Sequence, residues 1–111
     1  MAAGAILLVD DDEIIRYTLS KLLRYKGFAV TAAGSVLEAL TLINSEVYDV
    51  LLSDLHMPGA GDGLTVVSAM RHSNPKAVTM LLTSFPEMEA AAHAILLQAD
   101  DILVRPMGYP H

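Results

Sequence analysis

The sequence predicts an α/β fold, in which helices cover both faces of a doubly wound, five-stranded parallel sheet. Short apolar runs alternate along the chain with amphipathic stretches of helical length. The runs are almost continuously apolar, as expected of parallel strands that are buried on both faces. Right-handed crossovers between such strands produce a doubly wound sheet, whose ligands bind outside the carboxyl ends of the strands.

The five predicted strands are the short apolar runs of the chain, and they lie at residues 5–9, 28–31, 50–53, 78–82 and 102–104. Four helices are expected between them. The first spans 12–26, ends before Gly27, and carries one apolar stripe, which consists of Ile15, Leu19, Leu22 and Leu23.

Capping residues predict where the other helices begin. Ser35 and Glu38 form an S-x-x-E capping box at the start of the second helix, whose apolar face includes Leu40, Ile43 and either Val36 or Leu37. Asp62 can cap a third helix, which ends near residues 74–75 and buries three apolar side chains, Leu64, Val67 and Met70. The fourth helix begins near Pro86.

Composition restricts the function classes. With 111 residues and 53% hydrophobic content, the chain is expected to form a single domain. Its net charge of -6 argues against direct binding to nucleic acid. The sequence has no cysteine, no signal-peptide pattern and no apolar run near the roughly 20 residues that a membrane span needs. A cytoplasmic location is therefore expected, without membrane attachment.

Acidic residues follow the first and third predicted strands. Asp10 and Asp11 come directly after the first, and Asp54 ends the third. Because parallel strands place their carboxyl ends at one edge, these carboxylates should converge there. Carboxylates that share a site repel one another unless a cation neutralises them, and all-oxygen ligands suit Mg²⁺. Asp12 is expected instead to cap the first helix.

The chain resembles the receiver domain of two-component response regulators. The matching segments are LLVDDD at 7–12, YDVLLSDLHMP at 48–58, LLTS at 81–84 and VRP at 104–106. The resemblance covers essentially the whole chain except the last helix of the fold. It implies a flavodoxin-like strand order of 2-1-3-4-5, and a receiver domain at 1–111 that is truncated after the fifth strand, which leaves an apolar strip exposed.

The resemblance also implies what the acidic residues do. Asp54 would accept a phosphoryl group from a sensor histidine kinase or a phosphotransfer protein. Asp10, Asp11 and Asp54 would hold Mg²⁺, together with the backbone carbonyl of His56. Thr83 would bond a phosphoryl oxygen and move the following loop. The chain would then be a phosphoacceptor regulatory domain rather than a turnover enzyme.

Two positions depart from the family pattern. Arg105 stands where the family nearly always has a lysine, and its forked guanidinium differs in shape from an ammonium group. It either contacts the phosphoryl group or forms a fixed ion pair with Asp54 or Asp101. Ile102 replaces the aromatic residue that moves with the threonine in many receivers.

Other functions and partners stay open. An output domain after His111 and a homodimer are both compatible with the resemblance. The departures at Arg105 and Ile102 favour an alternative, an atypical receiver that acts as a phosphorylation-independent interaction module. A phosphatase of the haloacid dehalogenase type would use the D-x-D pair Asp10 and Asp12, but it leaves Asp54 unexplained.

Overall fold

The computed structural model describes residues 4–54, 63–83 and 101–104, and only the backbone at Thr83 and in the last segment. Its elements follow the order expected of an α/β chain. They are β1 (Ala5–Val9), α1 (Glu13–Tyr25), β2 (Ala29–Ala33), α2 (Val36–Ser45), β3 (Val50–Asp54), α3 (Gly63–Ser73), β4 (Val78–Thr83) and β5 (Asp101–Val104).

The strands form one five-stranded sheet in the order β2-β1-β3-β4-β5. All neighbouring strands are parallel. The predicted doubly wound, flavodoxin-like sheet is therefore confirmed. β1 and β3 lie inside the sheet, and each is buried over its last four residues, whereas β2 lies at an edge and begins with the exposed Ala29.

The two faces of the sheet build two separate cores, because successive residues of a strand point to opposite faces. On one face, α2 and α3 pack over a core that includes Leu7, Leu51 and Leu81. On the other face, α1 packs over a smaller core of Leu8, Leu52 and Leu82, against which Leu19 and Leu23 lie. Helices thus cover both faces.

Local capping defines both ends of α1. The Asp12 carboxylate accepts hydrogen bonds from the N–H groups of Ile14 and Ile15, as the sequence predicted. At the other end, the N–H of Gly27 donates to Arg24 O, and that of Phe28 donates to Leu23 O. These two bonds form a Schellman motif, which ends the helix.

The predicted apolar stripe of α1 is wrong at one position. Leu22 is 51% exposed, whereas Leu19 and Leu23 pack against the core. Along a helix with 3.6 residues per turn, the buried face is centred between Leu19 and Leu23, and Leu22 lies at its border. The first helix is otherwise as expected, within one residue at each end.

The capping box of α2 has one difference from its usual form. The Ser35 hydroxyl accepts a hydrogen bond from the N–H of Glu38, as expected. The Glu38 carboxylate, however, accepts from the N–H of Gly34, one residue before the cap. Val36 is buried and Leu37 is 76% exposed, so Val36 is the residue that completes the apolar face.

The strands differ from their predicted limits mainly at β2, which runs from 29 to 33 instead of 28 to 31. Its continuation through Ala33 follows from pairing with β1 up to Val9. The predicted cap Asp62, the fourth helix and the end of the chain after β5 lie outside the described residues. In the described segments, no helix is both long and apolar enough to cross a membrane.

Replacing Gly27 should destabilise the fold through the backbone alone. Gly27 has φ of 104°, and nothing lies within 4 Å of a Cβ added there, so an alanine meets strain but no clash. We expect Gly27→Ala to lower the free energy of unfolding by roughly 1–2 kcal/mol. Urea denaturation should show a lower midpoint with an unchanged slope.

Gly27→Asn is the matched control, because asparagine tolerates positive φ better than alanine. It should be less destabilising than Gly27→Ala. Equal stability of the alanine variant and the parent protein would contradict the role of positive φ at this turn.

Candidate acidic site at the carboxyl edge of the sheet

The parallel register brings two aspartates together at the carboxyl ends of the central strands. Val9 in β1 is opposite Ser53 in β3. One step further along the same register, Asp10 follows β1 and Asp54 is the last residue of β3. Both aspartates therefore lie at one edge, where an open α/β sheet binds its ligands.

Three carboxylates form a compact cluster at this edge. Asp10, Asp11 and Asp54 each offer an oxygen that lies within 4.8 Å of the other two. Asp10 is 0% and Asp54 5% exposed, whereas Asp11 is exposed. The predicted convergence of the three carboxylates is confirmed, and the site is a largely buried pair with a third carboxylate at its rim.

Asp10 is held at several points of its backbone and side chain. Its N–H donates to Ala33 O over 3.1 Å, which extends the pairing of β1 with β2. Its Oδ1 accepts from the N–H of Asp12 at 2.8 Å, and its carbonyl oxygen accepts from Arg16 Nη1 at 2.7 Å. These bonds fix the orientation of the residue that follows β1.

Asp12 has a different role from its two neighbours. Its Oδ1 accepts from Ile14 N at 2.9 Å and from Ile15 N at 3.1 Å, so its carboxylate is turned toward the helix. The same residue also donates its N–H to Asp10. The three consecutive aspartates are thereby divided between the cluster and the helix cap.

The cluster has the oxygen donors that a hard divalent cation prefers, and its oxygens are spread slightly more widely than such a cation requires. Burying like charges in contact is unfavourable unless something neutralises them. In an octahedral Mg²⁺ site, with ligands at about 2.1 Å, opposite oxygens lie roughly 4.2 Å apart. The spread of 4.8 Å or less is close to that size. Small shifts, or one ligand bound through water, would complete the fit.

The other predicted site residues are placed only in part. Thr83 is the last residue of β4, and its backbone pairs with Val104 in β5. β4 therefore ends at the same carboxyl edge of the sheet as β3, which ends at Asp54. Ile102 pairs with Leu81 along the same two strands. His56 and Arg105 lie outside the described residues.

Arg16 is a contributor to this site that the sequence analysis did not identify. It lies outside the apolar stripe predicted for α1, and its guanidinium reaches back to the carbonyl of Asp10. Side chains on a helix point toward its N-terminus, so an arginine one turn after the Asp12 cap could have been expected to meet the preceding loop.

Comparison with known proteins agrees with this geometry. The family described as "Response regulator receiver domain" matches residues 6–110. The DNA-binding transcriptional regulator NtrC of Escherichia coli (strain K12) is 34% identical over 106 residues, which cover 96% of this chain and 22% of NtrC. The chain therefore spans about a fifth of that relative's length.

Two solved structures share the fold closely. An adenylate cyclase from Rhodopirellula baltica has a TM-score of 0.84 and 35% identity, covering 92% of this chain and 76% of that one. A response regulator protein from Burkholderia pseudomallei has a TM-score of 0.83 and 31% identity, over 94% of this chain and 61% of that one. The second structure contains a phosphorylated aspartic acid, a calcium ion and citrate.

Divalent cations should stabilise the protein through the cluster. If Mg²⁺ binds only the folded state, a concentration about ten times its Kd adds roughly 1.4 kcal/mol to the free energy of unfolding. Thermal unfolding with Mg²⁺ and with a chelator would measure the difference. We expect Asp10→Asn to lose most of this gain.

Asp12→Asn is the control for that measurement. It removes the same charge from the same loop, and asparagine caps a helix about as well as aspartate. It should keep most of the gain from Mg²⁺. A similar loss in both variants would mean that overall charge, rather than the cluster, determines the effect.

Proposed function

We propose that this chain, which belongs to the response regulator receiver domain family, accepts a phosphoryl group on Asp54 and passes the change on as a signal. The observation that carries the proposal is the meeting of Asp10, Asp11 and Asp54 at one edge of the sheet. Asp54 is the member of the cluster that ends the central strand β3. It is therefore the one carboxylate of the cluster whose backbone lies within a strand of the sheet.

The proposed transfer forms one bond and breaks another. A carboxylate oxygen of Asp54 attacks phosphorus of a phosphohistidine, and the P–N bond of the donor breaks. The electron pair of that bond goes to the imidazole nitrogen, which then takes a proton from solvent. The products are an aspartyl phosphate and a neutral histidine, and the reaction needs no reactant besides that proton.

The charges of the site explain why a cation belongs to this proposal. An anionic carboxylate and an anionic phosphoryl group repel each other. Mg²⁺, when bound, supplies positive charge that offsets this repulsion and the charge that develops during transfer. Asp10 and Asp11 would hold the ion with Asp54, and the backbone carbonyl of His56 is proposed as a further ligand.

Burial restricts how a phosphoryl group reaches Asp54. The residue is 5% exposed and its strand neighbour Ser53 is 0% exposed, so approach is limited to the carboxyl edge of the sheet. The Ser53 hydroxyl donates to the carbonyl oxygen of Asp54 at 3.1 Å, which helps to hold the backbone there. Burial thus restricts the direction from which a phosphoryl group can approach Asp54.

Thr83 and Arg105 are proposed to read the phosphorylated state. Support for Thr83 comes from its position at the end of β4, whose residue Leu82 is paired with Asp54. Its hydroxyl would bond a phosphoryl oxygen, and Arg105 would supply positive charge in place of the family's lysine. A local change in charge would then shift the loops that follow these strands.

Members of this family are regulatory domains, which act through partner proteins. NtrC and the Rhodopirellula cyclase differ in their named activities, so the fold shared with this chain does not specify an output. We propose that residues 1–111 act as one receiver domain in the cytoplasm. Its partners would be a histidine kinase or phosphotransfer protein, an output domain after His111, and a second copy in a homodimer.

A second candidate function is that of a receiver fold that binds partner proteins without being phosphorylated. Ile102 lies in β5, where an aromatic residue would otherwise couple to the threonine, and it pairs with Leu81 in the core. This favours an interaction module that does not depend on phosphorylation. The match to the receiver domain family supports both of these candidates over a haloacid dehalogenase-type phosphatase.

Incubation with acetyl phosphate and Mg²⁺ tests the proposed phosphorylation. We expect intact-mass measurement to show the addition of a single phosphoryl group, and no addition when Mg²⁺ is chelated before the acetyl phosphate is added. Asp54→Asn should abolish the addition, because its amide is not a nucleophile of comparable strength.

Asp49→Asn provides a control on the same segment. Asp49 lies just before β3, at the opposite end from Asp54, and its carboxylate accepts from the N–H of Ala5 at 2.8 Å. This variant should still be phosphorylated. A parent protein that binds Mg²⁺ but gains no mass would support the interaction module instead.

A further inference from the structure

We infer that Arg16 is a positioning residue for the cation site. Its guanidinium holds the backbone of Asp10, one of the residues that would bind the ion. The inference rests on the proposed function, because it assigns a role in holding the cation to a side chain outside the carboxylate cluster. Arg16 lies in the first half of α1 and is half-buried. Its guanidinium returns to the loop that carries Asp10 and Asp11.

The contact between Arg16 and Asp10 is short. Arg16 Nη1 donates to the Asp10 carbonyl oxygen at 2.7 Å, below the usual distance of about 2.9–3.0 Å for N–H···O bonds. Hydrogen bonds from a charged donor are shorter and stronger than neutral ones. The bond therefore restrains the peptide that joins Asp10 to Asp11, two of the three cluster residues.

Arg16 completes a set of restraints on Asp10. The N–H of Asp10 is bonded to Ala33 O, and its Oδ1 is bonded to the N–H of Asp12. Without Arg16, the carbonyl between these two anchors loses a charged donor, and the peptide can rotate. Such a rotation would move both the Asp10 carboxylate and the adjoining Asp11.

A second loop provides the space that the guanidinium occupies. A Cβ added at Gly34 would lie 2.9 Å from Arg16 Nη1 and 3.2 Å from its Cζ. The N–H of Gly34 donates to Glu38 Oε1 at 2.8 Å, which fixes this loop against the start of α2. Gly34 thus leaves room for Arg16 between the carboxyl ends of β1 and β2.

The direction in which Mg²⁺ affinity changes when Arg16 is replaced distinguishes a positioning role from a purely electrostatic effect. A positive guanidinium near the cluster repels a divalent cation, so loss of its charge alone should strengthen Mg²⁺ binding. Loss of its hydrogen bond to Asp10 should weaken binding. Removing an outer partner of a metal ligand typically lowers metal affinity by about 10–100-fold, and we expect this loss to dominate.

Calorimetric titration of Mg²⁺ into the metal-free protein tests the inference with two independent changes. Arg16→Gln removes the charged donor, and Gly34→Ala pushes the guanidinium away while keeping every charge. Arg16→Gln should raise the Kd for Mg²⁺ by roughly tenfold. Gly34→Ala should raise it by less, because the end of the flexible arginine side chain can shift to make room. Arg16→Lys keeps the charge but lacks the fork, so its Kd should fall between those of the parent and Arg16→Gln.

Arg24→Gln is the matched control. Arg24 Nη2 donates to the backbone carbonyl oxygen of Val30 in β2 at 2.9 Å. This is also a bond from an α1 arginine to a backbone carbonyl, about two turns further along the helix than Arg16. This variant should bind Mg²⁺ like the parent protein. Urea unfolding in chelator would confirm that all variants fold.

The outcomes separate this inference from the proposed function. A parent protein that fails to bind Mg²⁺ would refute the cation site itself. Normal binding by the parent together with unchanged or tighter binding by Arg16→Gln or Gly34→Ala would overturn the role of Arg16. Weakening by Arg24→Gln to the same degree would also overturn it, since the effect would then belong to the helix as a whole.

Discussion

Parallel pairing of β1 with β3 is the constraint on which the acidic site depends. The register that places Leu8 opposite Leu52 and Val9 opposite Ser53 also brings the next residues, Asp10 and Asp54, to the same level. Electrostatic repulsion between the two carboxylates opposes this arrangement. Their proximity is imposed by burial of the apolar residues before them, since a shift of the register by one residue would turn each strand's side chains to the wrong face.

Apolar burial on both faces therefore holds charges together at the sheet edge. Leu7, Leu51 and Leu81 are 0% exposed on the face covered by α2 and α3. On the face covered by α1, Leu8, Leu52 and Leu82 form the second core. The stability gained on both faces offsets the repulsion at the edge, and a bound cation would reduce that repulsion further. The site and the core are thus coupled through the same strands.

The sequence predicts the central strands and the cluster well, because both follow from short-range patterns. β1 is wholly apolar and β3 begins with three apolar residues, while an aspartate follows β1 and another ends β3. The limits of β2 were less predictable, since its residues Ala32 and Ala33 have little strand preference and join the sheet by pairing with β1. Leu22 was misplaced for a related reason, because the position of a helix on a sheet decides which border residues are covered.

The contact of Arg16 with Asp10 shows a different limit of sequence analysis. An arginine on an amphipathic helix is most simply assigned to the solvent side, and nothing in the local pattern says that Gly34 leaves space for it. The contact depends on β1 and β2 being neighbours in the sheet, which places Ala33 and Gly34 beside Asp10. It is a property of the tertiary structure rather than of any one segment.

The loop between β1 and α1 links the helix to the site through Asp12. Its carboxylate caps α1 by accepting from Ile14 and Ile15, while its N–H donates to the Asp10 carboxylate. A displacement of the first turn of α1 must therefore change the orientation of Asp10, and a change at Asp10 must strain the cap. Because Arg16 adds a second connection from the same helix to the same residue, the position of α1 and the orientation of Asp10 are coupled through two independent contacts.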